Sequence, residues 1–254
     1  MTEWRKPDWE PRVGAGFRVL VAGASGGIGR ATVDMLQRSP GAVIGVHGRD
    51  AANLPAGPNI HPVVSAASSA DDAEAIVGDF VNAVGGIDGL VVLTGGIANP
   101  GHWRDQDADD WRHDIDLNLS LPFFLARAAM RHMGDGPGRI VLNGTESSLH
   151  GGSPTSLAYG VAKHGVECLV KGMAREGAAN HITVNGIRFG YIDSGFHARW
   201  QNQTADQHAR RVAMIPLGRA GQVDEAAALI VYLLSGYGAF ITGQMMSLTG
   251  GDWL

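Results

Sequence analysis

From residue 17 onward the chain alternates between two spacings of apolar side chains. Short β-branched runs with no polar face recur between longer stretches whose apolar positions fall three and four apart. Strands are predicted at 18–22, 43–47, 60–64, 89–93, 138–143, 183–188 and 244–248. Helices are predicted between them at 29–39, 70–84, 108–133, 157–178 and 223–234. Strands that are apolar on both faces belong to a parallel sheet covered by helices on both sides. The expected fold class is therefore α/β, a single doubly wound parallel sheet of Rossmann-like type. Residues 1–16 contain Pro7, Pro11, Gly14 and Gly16 and read as an irregular N-terminal extension that carries Trp4 and Trp9. No linker rich in Pro, Gly or Ser divides the remainder, so 17–254 is expected to form one domain.

Charge and composition narrow the partners. A formal charge of -5 and a pI near 6.0 leave no basic stripe, and nucleic acid is not an expected partner. No apolar run approaches the ~20 residues that a membrane helix needs, and residues 1–12 carry two tryptophans and several charges rather than a secretory core. A soluble, cytoplasmic protein with no membrane partner is expected. The single Cys168 is expected to be a small buried hydrophobe. The 37 glycines are scattered at turns without a period, which argues against a repeat protein. No metal site is expected.

Chemistry enters at the first strand-to-helix turn. Gly23, Gly27 and Gly29 are spaced G-x-x-x-G-x-G directly after strand 18–22, with Ser25 and Ile28 among them. Small residues there let the backbone approach a pyrophosphate, and the following helix start supplies N–H groups and a positive dipole. About 20 residues further on, the end of the second strand presents the group that reads the adenosine ribose. The stretch is Val46-His47-Gly48-Arg49-Asp50, so a guanidinium is available where a 2'-phosphate would sit. This favours NADP(H); NAD(H) stays possible if Asp50 is the ribose ligand instead.

The second chemical stretch is Tyr159-Gly160-Val161-Ala162-Lys163. Residues four apart share a helix face, so phenol and ammonium project into the same space. The cation is expected to lower the phenol pKa from about 10 and tune Tyr159 as a proton donor near neutral pH.

With the glycine turn and the Tyr-x-x-x-Lys pair together, the chain resembles the short-chain dehydrogenase/reductase family from about Phe17 to Asp252. Asp116-Leu117-Asn118-Leu119, Asn185 to Ser194, Ile215-Pro216-Leu217-Gly218-Arg219, Ile241-Thr242-Gly243-Gln244 and Gly250-Gly251 add to the resemblance. It implies a dinucleotide-binding and catalytic domain in which Tyr159 is the general acid/base, Lys163 lowers its pKa and holds the nicotinamide ribose, and Asn118 anchors a relay water. It also implies a cofactor-binding set of Gly23, Ser25, Gly27, Ile28, Gly29, Arg49, Gly95, Lys163, Ile192 and Ser194, and a homo-oligomer, usually a tetramer. In support of the last, the Tyr159 helix has Val161, Gly165, Val166, Cys168, Leu169, Gly172 and Met173 around more than one face.

The chain departs from the family pattern in several places. The N-N-A-G segment reads Val92-Leu93-Thr94-Gly95, Ser65 stands where an acidic residue often follows the third strand, and Phe189 replaces a proline. The residue that polarises the carbonyl falls at Thr145 counting forward from Arg139, but at Glu146 counting back from Tyr159. Thr145 is favoured and Ser147 is the alternative; if neither points inward, Glu146 enters the site.

For the substrate, Phe196 and Trp200 lie in the variable loop after Ser194, with His150 and Trp103 expected at the same mouth. A compact ketone or secondary alcohol is favoured over a fatty-acyl thioester. The expected activity is hydride transfer between NADP(H) and such a small-molecule carbonyl or alcohol. The altered segments keep a second reading open, a catalytically impaired NADP(H)-binding sensor or assembly subunit. An isomerase, epimerase or dehydratase on the same fold has no positive support.

Overall fold

The computed structural model describes residues 4–197 and 204–252. Seven strands form one parallel sheet: β1 (Arg18–Ala22), β2 (Val43–Gly48), β3 (Ile60–Val64), β4 (Gly89–Val92), β5 (Arg139–Thr145), β6 (Thr183–Phe189) and β7 (Met245–Leu248). Their order is β3-β2-β1-β4-β5-β6-β7. Period-two alternation explains the two layers. Leu20, Ala22, Leu90, Val92, Ile140 and Leu142 enter one core beneath α2 (Ala70–Val84), α4 (Leu121–Met133) and α5 (Leu157–Gly177). Val19, Val21, Val91, Val141 and Ile187 enter the other, beneath α1 (Gly27–Leu36) and α7 (Val223–Leu234).

Strand order reverses between β1 and β4, and the loops leaving their carboxyl ends diverge. Such a reversal opens the crevice in which ligands of this architecture sit. Gly23 makes the divergence tight: its φ is +87°, and a Cβ there would lie 2.8 Å from the Leu93 carbonyl carbon.

Two expectations differ from the structure, and one helix was not expected. The helix predicted over 108–133 is α3 (Ala108–Ile115), a π-turn (Asp116–Ser120) and α4. Asn118 Nδ2 donates to the Asp114 carbonyl at 2.8 Å, the acceptor that its own backbone N–H would use in an α-helix. That side-chain competition displaces the backbone ladder. A further helix, α6 (Ala205–Ala213), has no predicted counterpart; it buries no residue and is held by the Thr204/Gln207 capping box. Cys168 is exposed rather than buried. The face of α5 that meets the sheet carries Ala162, Val166, Val170 and Ala174, and Cys168 falls outside it, on a groove between α4 and α5.

The described part of the N-terminal extension has no regular element, yet it is fastened to the body. Lys6 pairs with Asp224 at 3.0 Å and Glu10 with Arg38 at 2.6 Å. Val13 is buried, and its N–H donates to Ser39 Oγ at 3.1 Å. Among the described residues no helix is long and apolar enough to cross a membrane.

Candidate active site

The carboxyl end of β5 turns directly into a single 3-10 turn over Glu146–His150. The Thr145 hydroxyl lies 3.0 Å from Ser147 Oγ and hydrogen-bonds the Tyr159 phenol. The forward count to Thr145 therefore matches the geometry, with Ser147 in direct contact behind it. Glu146 does not enter the site: its carboxylate is buried and accepts from Ser247 Oγ on β7 at 3.1 Å. Successive residues of a strand face opposite sides, so Glu146 turns away where Thr145 turns in.

Lys163, one helical turn after Tyr159, is fully buried. Its Nζ donates to Asn143 Oδ1 at 2.7 Å, to the Asn143 carbonyl at 3.2 Å and to the Thr94 carbonyl at 3.4 Å. Burial alone pulls its pKa down to about 7. Tyr159 moves the other way, to about 12, because burial disfavours the phenolate more than the bond to Thr145 favours it. The expected depression of the phenol by the neighbouring ammonium is thus absent. The reason is geometric: Nζ sits over the Tyr159 ring, 5.8 Å from its centroid, and its hydrogen bonds run to the sheet.

Asn118 is fully buried in the π-turn. Its amide closes a pair of bonds with Gly96, accepting from the N–H at 3.2 Å and donating to the carbonyl at 2.8 Å. Asn118 and Lys163 converge on Gly95 from two sides. A Cβ at Gly95 would lie 2.9 Å from Asn118 Oδ1 and 3.4 Å from Lys163 Nζ, so a side chain there would part them.

At the other wall of the crevice, α1 opens at Gly26, which provides no side-chain cap, and no acidic residue occupies its first turn. Its first N–H groups are accordingly free to receive an anion. Gly29 packs against the preceding turn, with Ala24 Cα 2.8 Å from where its Cβ would be. Gly27 faces the Ser194 backbone, at 3.0 Å from Cα on the same measure. The Ser25 carbonyl accepts from Arg30 Nε at 3.2 Å. Ile28 turns its side chain partly into the α1–α7 core, leaving only its backbone at the turn. Ile192 is buried and pairs with Gly221, which carries the 190–194 segment across the front of α1.

At the end of β2, Arg49 is exposed. Asp50 is engaged locally: its carboxylate accepts from Ala52 N–H at 3.0 Å and Asn53 Nδ2 at 2.6 Å. An uncapped helix start, close-packed glycines and a guanidinium at the β2 end together suit a dinucleotide diphosphate with a further phosphate near Arg49.

Over Tyr159 sits Phe196, with ring centroids 6.2 Å apart. Tyr191 anchors the segment behind it, its hydroxyl 2.7 Å from His208 Nδ1 and its ring stacked on His197 at 4.5 Å. His150 is exposed at the end of the Glu146–His150 turn. Trp103 meets the loop that follows, its N–H donating to the Pro154 carbonyl at 3.0 Å. Trp200 lies outside the described residues. Sequence reasoning missed two participants. Asn143 was detectable as the residue two before Thr145 on the same strand face, whereas nothing in the α6 sequence marks His208 as a partner for Tyr191.

A family model described as enoyl-(acyl carrier protein) reductase matches residues 23–252. The 3-oxoacyl-(acyl carrier protein) reductase of Vibrio harveyi is 30% identical over 240 residues, covering 92% of this chain and 96% of that protein. Nodulation protein G of Rhizobium meliloti is 28% identical, with 93% and 96% covered. Among solved structures, a short-chain dehydrogenase/reductase of glucose/ribitol dehydrogenase type from Brucella melitensis superposes with a TM-score of 0.85 at 28% identity, covering 95% of this chain and 98% of that one. A short-chain type dehydrogenase/reductase from Mycobacterium marinum gives 0.86 at 28% identity, with 95% and 97% covered.

Proposed function

Because this chain belongs to the short-chain dehydrogenase/reductase family and is an oxidoreductase of that family, we propose that it reduces a ketone, or oxidises the matching secondary alcohol, with NADP(H), using Tyr159 as general acid/base. The observation that carries this reading is the contact of Tyr159 with Thr145, with Lys163 one turn behind and an uncapped helix start across the crevice. Residues 17–254 would act as one dinucleotide-binding and catalytic domain. Gly23, Ser25, Gly27, Gly29 and the backbone of Ile28 would hold the diphosphate, Arg49 the 2'-phosphate, and Gly95, Ile192, Ser194 and Lys163 the nicotinamide end. Bound NADPH supplies the hydride.

In the reductive direction the substrate carbonyl accepts hydrogen bonds from Thr145 and Tyr159. A phenol held near 12 is protonated at neutral pH, which is the form a proton donor needs. As negative charge develops on the carbonyl oxygen, Tyr159 releases its proton to it, and the hydrogen bond from Thr145 favours the phenolate left behind. Asn118, locked to Gly96, keeps the π-turn and the loop after β4 in register with Lys163. Phe196 and His150 border the space left for the substrate. The 3-oxoacyl substrates named for the Vibrio relative also carry a ketone, so a 3-oxoacyl thioester belongs in the panel beside compact cyclic ketones.

The reading extends to assembly and location. The groove between α4 and α5, lined by Met130, Cys168, Leu169, Gly172 and Met173, would pair with a second copy in a homotetramer, and a cytoplasmic location is proposed.

The test begins with thermal melts. NADPH at about 100 times its dissociation constant stabilises the native state by about 2.7 kcal/mol, a rise of roughly 5–11 °C for a chain of this size. If Arg49→Ala weakens NADPH about 30-fold, the gain at the same concentration falls to about 0.9 kcal/mol, while the NADH response stays unchanged. Tyr159→Phe should keep the NADPH response and lose turnover of the panel. Binding without any turnover by the wild type would favour the sensor or assembly-subunit reading, and no response to either nucleotide would overturn the cofactor assignment.

A further inference from the structure

Lys163 keeps a charge-bearing group in a fully buried place, without an ion pair among the described residues. Burial pulls its pKa down, and among the described residues no charged neighbour offsets it. The ionisable side chains on the elements packed around it are committed elsewhere. Asp114 of α3 accepts from the Ala98 N–H at 2.7 Å through Oδ1, its Oδ2 being buried without a partner among the described residues, Glu146 beyond β5 holds Ser247, and Arg188 of β6 is paired with Glu167 of α5 at 2.7 Å. Tyr159, on α5 itself, has its ring centroid 5.8 Å from Nζ. What remains around Nζ is three neutral oxygens, and two of them are backbone carbonyls that any residue would offer.

The third is the side chain of Asn143, at 2.7 Å the shortest of the three contacts. An ammonium only donates, so the amide must turn its oxygen to Lys163. The other end, Nδ2, lies 3.6 Å from where a Cβ of Gly95 would be. The Asn143 side chain thus lies against both the lysine tip and the loop after β4, on the strand face that also carries Thr145.

We propose that Asn143 is a positioning residue: its side-chain oxygen favours the ammonium form of Lys163 and holds it between β5 and the β4 loop, and so sets the pH range in which the Tyr159–Lys163 pair transfers a proton. The kinetic half of this proposal rests on the acid/base reading of Tyr159 given above. A dipole aimed at a buried cation favours its protonated form. Asn143→Leu keeps the approximate volume and deletes the acceptor, so the ammonium loses its proton more readily. Asn143→Asp places an anion against it and acts in the opposite direction.

The chain contains only three lysines, Lys6, Lys163 and Lys171, which makes a direct titration practical. Lysine labelled with carbon-13 at Cε is followed by NMR in the cofactor-free protein, with Lys163 assigned from the Lys163→Arg variant. The Lys163 midpoint, near 7 in the wild type, should fall by about one pH unit in Asn143→Leu and rise by at least about one unit in Asn143→Asp. Lys6 and Lys171 should stay where they are. The alkaline limb of the kcat profile for carbonyl reduction should move in the same two directions, with smaller changes in KM for the substrate.

A structural role alone would lower activity without moving either midpoint. If both variants fold by circular dichroism and leave the Lys163 midpoint within about 0.3 units of the wild type, the proposal is overturned whatever the substrate proves to be. Should Asn143→Leu not fold, Asn143→Asp and Asn143→Ser carry the same test. Shifts in the NMR midpoint without shifts in the kinetic limb support the clamp and refute the proton-transfer role assigned to the pair.

Discussion

Removing Arg188 should cost this protein both stability and catalytic order. Its guanidinium makes a bidentate pair with Glu167, 2.7 Å at each contact, and donates to the Met245 carbonyl at 3.1 Å. Glu167 also accepts from Ser148 Oγ at 3.2 Å, and that hydroxyl bonds the Thr145 carbonyl at 2.7 Å. The pair is well enclosed, with side-chain exposures of 18% for Arg188 and 9% for Glu167. It therefore ties α5, one turn beyond Lys163, to β6, β7 and the Thr145 turn. Breaking a buried pair by removing one partner costs about 3–5 kcal/mol; the residual exposure argues for about 3 kcal/mol in Arg188→Met. For a chain of this size that lowers Tm by roughly 6–12 °C.

The pH dependence follows from Glu167, whose carboxyl is held below its ordinary value of 4.5, chiefly by the hydrogen bond from Arg188. A depressed carboxyl contributes stability above the unfolded pKa and loses it as pH falls through the folded one. The difference between wild type and Arg188→Met should thus be full at pH 7 and shrink below 4.5. Glu167→Leu combined with Arg188→Met removes both charges and should recover most of the loss. Urea or thermal unfolding at several pH values measures all of this. A loss below about 1 kcal/mol, or a double variant as unstable as the sum of the singles, would refute the reasoning.

Other outcomes follow from the site and its surroundings. Thr145→Val removes the hydroxyl that meets Tyr159 and should lower kcat by about 100-fold, whereas Thr145→Ser should stay within about tenfold, by steady-state kinetics. Lys163 is held below its ordinary 10.5 at about 7, so the unfolded chain binds more protons in that window and stability should rise with pH from 7 towards 10. Lys163→Met should abolish this rise in pH-dependent melts. Leu169→Glu puts a charge into the α4–α5 groove, and light scattering should then report a smaller assembly than the wild type forms.

Much of this architecture was legible because parallel strands buried on both faces announce themselves as apolar runs, and the predicted run at 18–22 coincides with β1, while the edge strand β3 matches its predicted 60–64 although only Val63 is buried in it. Helix α6 was not legible: Ala205–Ala213 buries nothing, so no apolar stripe reveals it. The π-turn at Asn118 depends on where one amide points, which a spacing rule does not contain. Exposure of Cys168 was misread because apolar residues lie around several faces of α5, and only the fold decides which face meets the sheet. The titration of Tyr159 was misjudged for a related reason. Spacing put Lys163 beside it, while the direction of the ammonium was decided by Asn143 and two carbonyls on other elements. The strand count reached Thr145 because β5 runs straight to it, and the structure turns Thr145 towards Tyr159 and Glu146 towards Ser247.

The exposed thiol has a practical consequence. Cys168 is the sole cysteine and opens onto the groove between α4 and α5, so a maleimide dye installs one reporter per chain at a known address. Dye uptake then becomes a clock for that surface: if the proposed assembly forms through this groove, a docked copy shields the sulfur and labelling slows as protein concentration rises. The same reporter, bulky and irreversible, would trap dissociated chains, converting a stability question into a fluorescence reading that needs no substrate.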